Sequence, residues 1–264
     1  MSTPAEYRRV SAKYFDEAYA TKVDLKDQKF YLELAKANGG PVLELACGTG
    51  RILLPIAREG LAIHGVDNSL PMLEVLHDKL RQEPKDVREL VSVMHGDMRT
   101  FRSNRQYPLV LIPFRPLQHM YTVEDQVAAL ETAAFHLEDG GHLAFDVFYP
   151  KFDSLASNLG QEVLELEWSP DSDPNKVIRR YFRKESVDKI NQTFAITFIF
   201  RTYEGERLVE EETEFLKMSY YTYPHLRALF LLVGLEIVEE YGSFDRTPLD
   251  NNAKEMIFVL RRTQ

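Results

Sequence analysis

VLELACGTG, residues 42–50, joins a short apolar run to a Gly-x-Gly turn. A segment with amphipathic helical spacing, Arg51–Glu59, follows the turn directly. A strand, a glycine turn and a helix in this order form the first unit of a nucleotide-binding α/β sheet. The stretch therefore predicts an α/β fold with a ligand held at the turn.

This glycine turn differs from the turn of dinucleotide-binding proteins. The position three residues after Gly50 is Leu53, so the pattern Gly-x-Gly-x-x-Gly is absent. The third glycine of that pattern lets a helix and a strand approach closely under a pyrophosphate. Two glycines suit a ligand without a pyrophosphate. Glu44, inside the strand, suits a cationic ligand such as a sulfonium that also carries an ammonium group.

Composition narrows the class of protein. The 264 residues are 44% hydrophobic, which supports one large domain or one domain with an elaboration. The net charge of −9 disfavours nucleic-acid binding, which depends largely on Lys and Arg. The single cysteine, Cys47, excludes an internal disulfide, and no apolar run reaches membrane-spanning length. We therefore expect a cytoplasmic protein that binds neither nucleic acid nor membrane, and we predict no metal site.

Short apolar strands alternate with amphipathic helices over most of the chain. This alternation predicts a doubly wound, mostly parallel sheet of seven strands with helices on both faces. A polar, amphipathic helical region precedes the first strand over residues 1–40. The predicted strands are Val42–Leu45, Ala62–Val66, Leu90–Met94, Leu109–Pro113, His142–Val147, Glu236–Tyr241 and Glu255–Leu260, and the helices are Arg51–Glu59, Leu70–Arg81, Glu124–Leu137 (closed by Gly140-Gly141) and Pro224–Val233.

The pattern changes after Pro150. Four runs rich in β-forming residues, 162–168, 176–187, 193–203 and 207–218, are separated by turn signals and predict an antiparallel meander inserted between strands five and six. We divide the chain into a core with N-terminal helices (1–150), the β insertion (151–222) and a return to the core (223–264). The acidic run Glu210–Glu212 is either a solvated strand face or a subunit contact, which leaves a homodimer open.

Two further acids follow predicted strands. Asp67 ends strand two, about 20 residues after the glycine turn, where it can accept hydrogen bonds from both ribose hydroxyls; alternatively it caps the next helix. Asp97, in Gly-Asp-Met after strand three, can accept from an adenine amino group while Met98 packs on the ring; alternatively it forms a surface turn. Because ligands bind at the carboxyl ends of parallel strands, these acids and the turn share one sheet edge.

The order Glu44-x-x-x-Gly48-x-Gly50, then Asp67, then Asp97-Met98 resembles the class I S-adenosylmethionine-dependent methyltransferases. The resemblance covers residues 10–150 and resumes at 224–261. It implies a Rossmann-like fold with S-adenosyl-L-methionine as cofactor and S-adenosyl-L-homocysteine as product. The β insertion is similar, more loosely, to that of small-molecule N-methyltransferases of the amino-sugar type.

The resemblance also implies roles for individual residues. The glycine turn, with Glu44, Ala46, Gly48 and Gly50, faces the methionine part of the cofactor. Asp67 binds the ribose, and Asp97 with Met98 binds the adenine edge. Near the N-terminus, two tyrosines resemble those that close over the cofactor carboxylate. Cofactor contacts are therefore expected at Tyr14, Tyr19, Glu44, Ala46, Gly48, Gly50, Asp67, Asn68, Met72, Asp97, Met98 and Pro113.

The acceptor is expected beside the ends of strands four and five. His119 follows strand four, and its ordinary pKa suits general-base work near neutrality; alternatively it packs or caps near the next helix. Asp146 ends strand five and could bind an acceptor amine; alternatively it is a buried structural carboxylate. Aromatic residues on this side favour a small organic acceptor, although a meander also needs aromatics for its own core. The acceptor-binding residues predicted here are Phe114, Gln118, Asp146, Phe148 and Tyr221.

The sequence thus predicts methyl transfer from S-adenosylmethionine to nitrogen or oxygen of a small molecule. Strand four lacks Asn/Asp-Pro-Pro-Tyr, the motif that serves methylation of exocyclic base nitrogens. Cys47, inside the turn, is interpreted as a packing residue rather than a reactive thiol. The alternatives are a non-catalytic protein that binds the cofactor and, with less support, a nucleotide-dependent oxidoreductase.

Overall fold

The computed structural model describes residues 9–22, 26–155 and 157–263, so the predicted helicity of residues 1–8 and 23–25 lies outside the described residues. Two sheets and a set of short helices make up the described chain. The helices are α1 Arg9–Ala20, α2 Asp27–Asn38, α3 Leu53–Arg58, α4 Leu70–Gln82, α5 Lys85–Glu89, α6 Val123–Phe135, α7 Phe152–Leu155 and α8 Tyr223–Leu232, with a 3₁₀ helix over Pro116–His119. The strands are β1 Val42–Leu45, β2 Ile63–Asp67, β3 Val91–His95, β4 Tyr107–Ile112, β5 Leu137–Phe148, β6 Glu162–Trp168, β7 Lys176–Asp188, β8 Thr193–Glu204, β9 Arg207–Ser219, β10 Leu235–Tyr241 and β11 Glu255–Arg262.

The larger sheet has seven strands in the order β10-β11-β5-β4-β1-β2-β3. Strands β1 to β5 run parallel, and β11 is antiparallel to both of its neighbours. Successive residues of β1 point to opposite faces: Leu43 and Leu45 pack in the cluster that contains α6 and α8, and Val42 packs in the cluster that contains α2 and α3. Burial on both faces explains why the parallel strands read as continuous apolar runs. The predicted doubly wound fold is confirmed.

The smaller sheet is an antiparallel meander, β6-β7-β8-β9, inserted between β5 and β10 as predicted. Its bounds differ from the predicted ones by no more than one residue, because turn signals separate the successive strands. Helix α1 packs against the meander, where Tyr14 stacks on Phe200 with ring centroids 4.8 Å apart. None of the helices in the described part of the chain has the length and apolar character that a membrane span requires.

One predicted boundary is wrong. The helix expected to continue to Leu137 and to close at Gly140-Gly141 ends at Phe135, and β5 runs through both glycines. The pairing of β4 with β5 slips here, from Tyr107 opposite Leu137 to Leu109 opposite His142. Gly140 has φ 78°, and a Cβ on Gly141 would lie 2.9 Å from the Tyr107 carbonyl oxygen. The glycine pair therefore forms a bulge within a strand and does not stop a helix.

Candidate active site

The glycine turn is tied to the end of β2 by Asp67. One oxygen of the Asp67 carboxylate accepts the Gly48 N–H at 2.7 Å, and the other accepts the Ser69 N–H at 2.7 Å. The hydroxyl of Ser69 in turn caps α4 by accepting the Met72 N–H. Ser69, and not Asp67, is therefore the helix cap, and the carboxylate of Asp67 sets the position of the turn relative to β2.

Glu44 lies buried beneath the turn. Its Oε2 atom has no hydrogen-bond partner among the described residues, and burial raises the pKa of Glu44 well above its usual range, against the opposing field of Arg51. Arg51 itself is paired in a two-pronged ion pair with the fully buried Asp27. A buried carboxylate oxygen without a donor is costly, so a cationic ligand at this position would relieve that cost.

A cavity of about 630 Å³ lies between the two sheets. The glycine turn and the ends of β2 and β4 line one half, and one face of the meander lines the other half. The meander residues on that face alternate along each strand, as a pleated sheet requires. They are Glu165 on β6, Phe182 and Lys184 on β7, Phe194, Ile196 and Phe198 on β8, and Leu216 and Met218 on β9.

Most of the predicted site residues meet at this cavity. Around the glycine turn the structure brings together the acid that ends β2 and the side chains that follow it, and His119 lines the same cavity from the end of the 3₁₀ helix. The predicted residues on the wall are Tyr19, Glu44, Ala46, Gly48, Asp67, Asn68, Met72, Met98, Pro113, Phe114, His119 and Phe148.

Two predicted cofactor residues have other partners. The hydroxyl of Tyr14 donates to Glu212 at 2.7 Å, in the packing of α1 against the meander. The carboxylate of Asp97 is bound by Arg99, whose guanidinium also contacts Asp125, and this pairing lowers the pKa of Asp97. Neither side chain lies on the described cavity wall. Both side chains are instead bound to charged partners, Glu212 and Arg99, and their predicted contacts with a cofactor stay predictions.

Gly50 also lies off the wall, for a steric reason. Its φ is 78°, and a Cβ there would lie 2.4 Å from Cδ1 of Leu76 on α4. The glycine therefore permits the close approach of α4 to the turn and does not contact the cavity.

Three predicted acceptor residues are buried behind the wall instead of on it. Gln118 donates to the Ser219 carbonyl oxygen at 2.8 Å, and the hydroxyl of Tyr221 donates to the Leu117 carbonyl oxygen at 2.7 Å. Asp146 accepts from the Phe114 N–H at 2.7 Å. Tyr221 and Asp146 thus satisfy backbone groups of the segment after β4, and Gln118 ties that segment to the ends of β9 and β5.

Residues 42–141, which carry the turn and both acids, match the family described as a methyltransferase domain. Residues 42–141 therefore form a methyltransferase domain. The predicted family and enzyme class are thereby confirmed.

Three relatives of this methyltransferase illustrate the match. The cypemycin N-terminal methyltransferase of a Streptomyces species is 24% identical over 85% of this chain and 84% of its own length. A dTDP-3-amino-3,4,6-trideoxy-alpha-D-glucopyranose N,N-dimethyltransferase of Streptomyces venezuelae is 32% identical, over 38% of this chain and 39% of its own. The CcbJ methyltransferase structure from Streptomyces caelestis covers 100% of both chains with a TM-score of 0.81 at 23% identity.

Sequence reasoning missed several residues on the wall of the methyltransferase cavity. Phe15 packs with Tyr19 and Phe114 to form a cluster of three rings at the end of β4. The spacing of Phe15 and Tyr19, one helical turn apart, is the signal that could have found it. Arg51 lies over the Phe114 ring at 4.4 Å, and Glu255 reaches the wall from β11.

Cys47 is a packing residue in this structure. Its side chain is 4% exposed, and burial raises the pKa of the thiol well above its usual range. The reactive thiolate form is therefore disfavoured.

Tyr14→Phe tests the position of Tyr14. We expect the substitution to lower the free energy of unfolding by about 0.5–1.5 kcal/mol, because one part-buried hydrogen bond to Glu212 is lost, and to leave the affinity for S-adenosylhomocysteine unchanged. Tyr19→Phe, on the same helix but on the cavity wall, is the matched control and should weaken that affinity. Calorimetric titration and thermal unfolding measure both quantities. A larger loss of affinity in Tyr14→Phe than in Tyr19→Phe would restore Tyr14 to the cofactor site.

Proposed function

We propose that this methyltransferase transfers a methyl group from S-adenosylmethionine to an amine nitrogen of a small-molecule acceptor. The observation that carries the proposal is one cavity with two unlike halves, a glycine turn with acids on one side and a largely apolar meander face on the other. Its volume of about 630 Å³ falls in the range of small-molecule sites. A cavity covered by a meander can enclose a small acceptor, whereas a macromolecular acceptor needs a flatter and more open surface.

The residues of the first half fit the cofactor. The partnerless Oε2 of Glu44 and the backbone of the glycine turn suit its cationic methionine end. The Asp67 carboxylate suits the ribose hydroxyls, and Met72 and Met98 suit the adenine ring, with Asn68 beside it. When bound, S-adenosylmethionine supplies an activated methyl group on a sulfonium. The chain must then mainly align the acceptor and exclude water.

The second half supplies acceptor alignment. Phe114 and Phe148 present rings to the cavity, and His119 presents an imidazole from the 3₁₀ helix. A ring-lined wall favours an acceptor with an ammonium group or an apolar ring face. We assign His119 to orienting the acceptor or accepting its proton.

The choice of nitrogen rests on the relatives. The two relatives compared by sequence are named as methyltransferases that act at an N-terminus or at the amino group of a nucleotide-linked sugar. A homodimer, a cytoplasmic location, the division at residues 150 and 222, and the lack of nucleic-acid binding stay predictions. Light scattering of the purified protein checks the first of these.

One experiment tests the proposed function. Purified protein is first titrated calorimetrically with S-adenosylhomocysteine, with NADH as the control ligand. It is then assayed for transfer of radiolabelled methyl to a panel of amino sugars, peptides with free N-termini and arylalkylamines. The corresponding alcohols serve as controls in this assay. Binding of S-adenosylhomocysteine alone, with label on amines only, supports the proposal. Preference for NADH contradicts it, and label on alcohols replaces nitrogen by oxygen. His119→Asn should lower turnover more than cofactor affinity.

A further inference from the structure

Glu255, the first residue of β11, lies on the cavity wall at the same sheet edge as the glycine turn. It pairs in register with Phe148, the last residue of β5, which also lines the cavity. In the sheet order β11 is three strands from β1, a separation of about 14 Å at the usual strand spacing. The carboxylate of Glu255 therefore lies on the acceptor side, with the end of β4 between it and the glycine turn.

The bonding of this carboxylate is incomplete. One oxygen, Oε1, is ion-paired with Arg115. The other, Oε2, is buried and has no hydrogen-bond partner among the described residues. Buried carboxylate oxygens are normally satisfied by donors, so this atom resembles Oε2 of Glu44 on the cofactor side. A ligand donor that enters the acceptor half would satisfy it.

The buried charges around Glu255 do not balance, and one more positive charge would neutralise them. The charged groups that face it are Arg115 after β4, Asp146 on β5 and Asp27 on α2, and the hydroxyl of Tyr31 on α2 also interacts with it. Asp27 is bound by Arg51, so this buried group holds three carboxylates and two guanidinium groups. When all are ionised its net charge is −1. Buried charges are normally compensated, so the group favours a positively charged ligand.

The lysines of the same wall do not supply that charge from inside the group. Lys151 and Lys254 line the cavity but are exposed to solvent, and Lys22, also on the wall, is ion-paired with Glu165 at 3.0 Å. Lys184 lies on β7 of the meander, on the opposite wall. The field at Glu255 therefore comes mainly from the buried group.

Burial, with Asp146 adding to it and Arg115 opposing it, raises the pKa of Glu255 to about 7. General-base catalysis is most efficient when the pKa of the base lies near the working pH. An amine acceptor is an ammonium ion at neutral pH and must lose a proton before its nitrogen can attack.

We propose that Glu255 binds the ammonium group of the acceptor and takes its proton. In this step an N–H bond of the ammonium breaks, its electron pair stays on nitrogen as the nucleophilic lone pair, and the proton forms an O–H bond with the carboxylate. The inference rests on the proposed function, since it assigns the proton acceptor for that amine. It gives Glu255 the role that the sequence predicted for His119.

The test uses phenethylamine as a probe, because its ring suits the apolar wall and its amine is an ammonium ion at both pH 6 and pH 8. Protein saturated with S-adenosylhomocysteine is titrated calorimetrically with the probe at both pH values. The wild type should bind about tenfold tighter at pH 8 than at pH 6, because the carboxylate ionises between them. Glu255→Gln should bind weakly at both.

Two controls make the result specific. Glu236→Gln removes another Glu–Arg pair of the same sheet, Glu236 with Arg261 at 2.6 Å, which is exposed and off the described wall. It should keep the wild-type affinity and pH step. His119→Asn should keep the pH step even if its affinity falls. With the amine acceptor found in the methyl-transfer screen, the fall of turnover below pH 7 should disappear in Glu255→Gln only.

The failures are distinguishable. If S-adenosylhomocysteine does not bind, the proposed function fails and this inference fails with it. If it binds but the wild-type complex does not take up phenethylamine, or Glu255→Gln keeps the pH step, only the role of Glu255 is overturned. If the change of affinity between pH 6 and pH 8 is lost in His119→Asn instead, His119 is the proton acceptor.

Discussion

Replacing Asp67 by alanine is expected to weaken S-adenosylhomocysteine binding by about 1–3 kcal/mol, roughly 5- to 150-fold. Two losses add. The ribose hydroxyls lose their proposed acceptor, and the Gly48 and Ser69 N–H groups lose the carboxylate that accepts them at 2.7 Å each. The second loss releases the glycine turn from the end of β2. The proposed cofactor site is therefore weakened both directly and through its backbone.

Asp97→Asn is the matched control for this prediction. Asp97 also follows a strand at the same sheet edge, but its carboxylate is bound by Arg99 and does not line the cavity. Its substitution should change the affinity by much less than Asp67→Ala does. Calorimetric titration measures the affinities, and thermal unfolding confirms that each variant is folded. Unchanged affinity in Asp67→Ala would remove Asp67 from the site, and a larger effect in Asp97→Asn would place the adenine amino group on Asp97.

The fold could be predicted because its signals are local. Turn signals separate the four strands of the meander, and the helix after Thr122 begins where the Thr122 hydroxyl accepts the Asp125 N–H. The glycine bulge in β5 was misread because a glycine pair after a helix pattern has the same composition whether it stops the helix or bulges a strand. Only the pairing with β4 decides between the two.

The site could be predicted only in part, for a different reason. Acids that follow parallel strands must meet at one edge, so Asp67 was placed correctly at the cavity. The sequence does not say whether a polar side chain at that edge faces the ligand or a backbone group, so Gln118 and Tyr221 were placed on the wrong side of the wall. Glu255 and Arg115 are 140 positions apart in the chain, and no local pattern predicts their pairing.

The acidic run Glu210–Glu212 on β9 also has partners that the local sequence does not predict. As a sequence it suits a solvated strand face or a subunit contact. In the structure Lys13 on α1 contacts Glu210 at 3.3 Å and Glu212 at 2.6 Å, and Arg201 contacts Glu211 at 2.7 Å. The run thus helps to hold the N-terminal helix, with Tyr19 and Phe15, against the cavity. Partners so distant in sequence come from the topology of the meander.

Asp146→Ala is expected to lower the free energy of unfolding by about 2–6 kcal/mol, because two buried donors lose their acceptor at a cost of about 1–3 kcal/mol each. The carboxylate is 1% exposed and accepts from the Tyr31 hydroxyl at 2.6 Å and from the Phe114 N–H at 2.7 Å. Phe114 and Arg115 have φ of 68° and 70°, a conformation that L-residues rarely adopt. Asp146 holds that turn in place.

The functional consequence follows from the same contacts. Without Asp146 the turn is free to relax, and with it the Phe114 ring and the Arg115 partner of Glu255. Amine methylation should therefore fall even at temperatures where the variant is folded, while S-adenosylhomocysteine binding changes less, since the glycine turn is held by Asp67 instead.

Tyr31→Phe separates the two hydrogen bonds of Asp146. It removes one donor and leaves the Phe114 contact, so it should cost about 0.5–1.5 kcal/mol and preserve methylation. Urea unfolding of both single variants and the double variant gives their coupling. If Tyr31→Phe lowers methylation as much as Asp146→Ala, the buried carboxylate stabilises the core without positioning the turn. If Asp146→Ala is as stable as the wild type, the desolvation cost of the buried carboxylate cancels the stabilisation from its two hydrogen bonds.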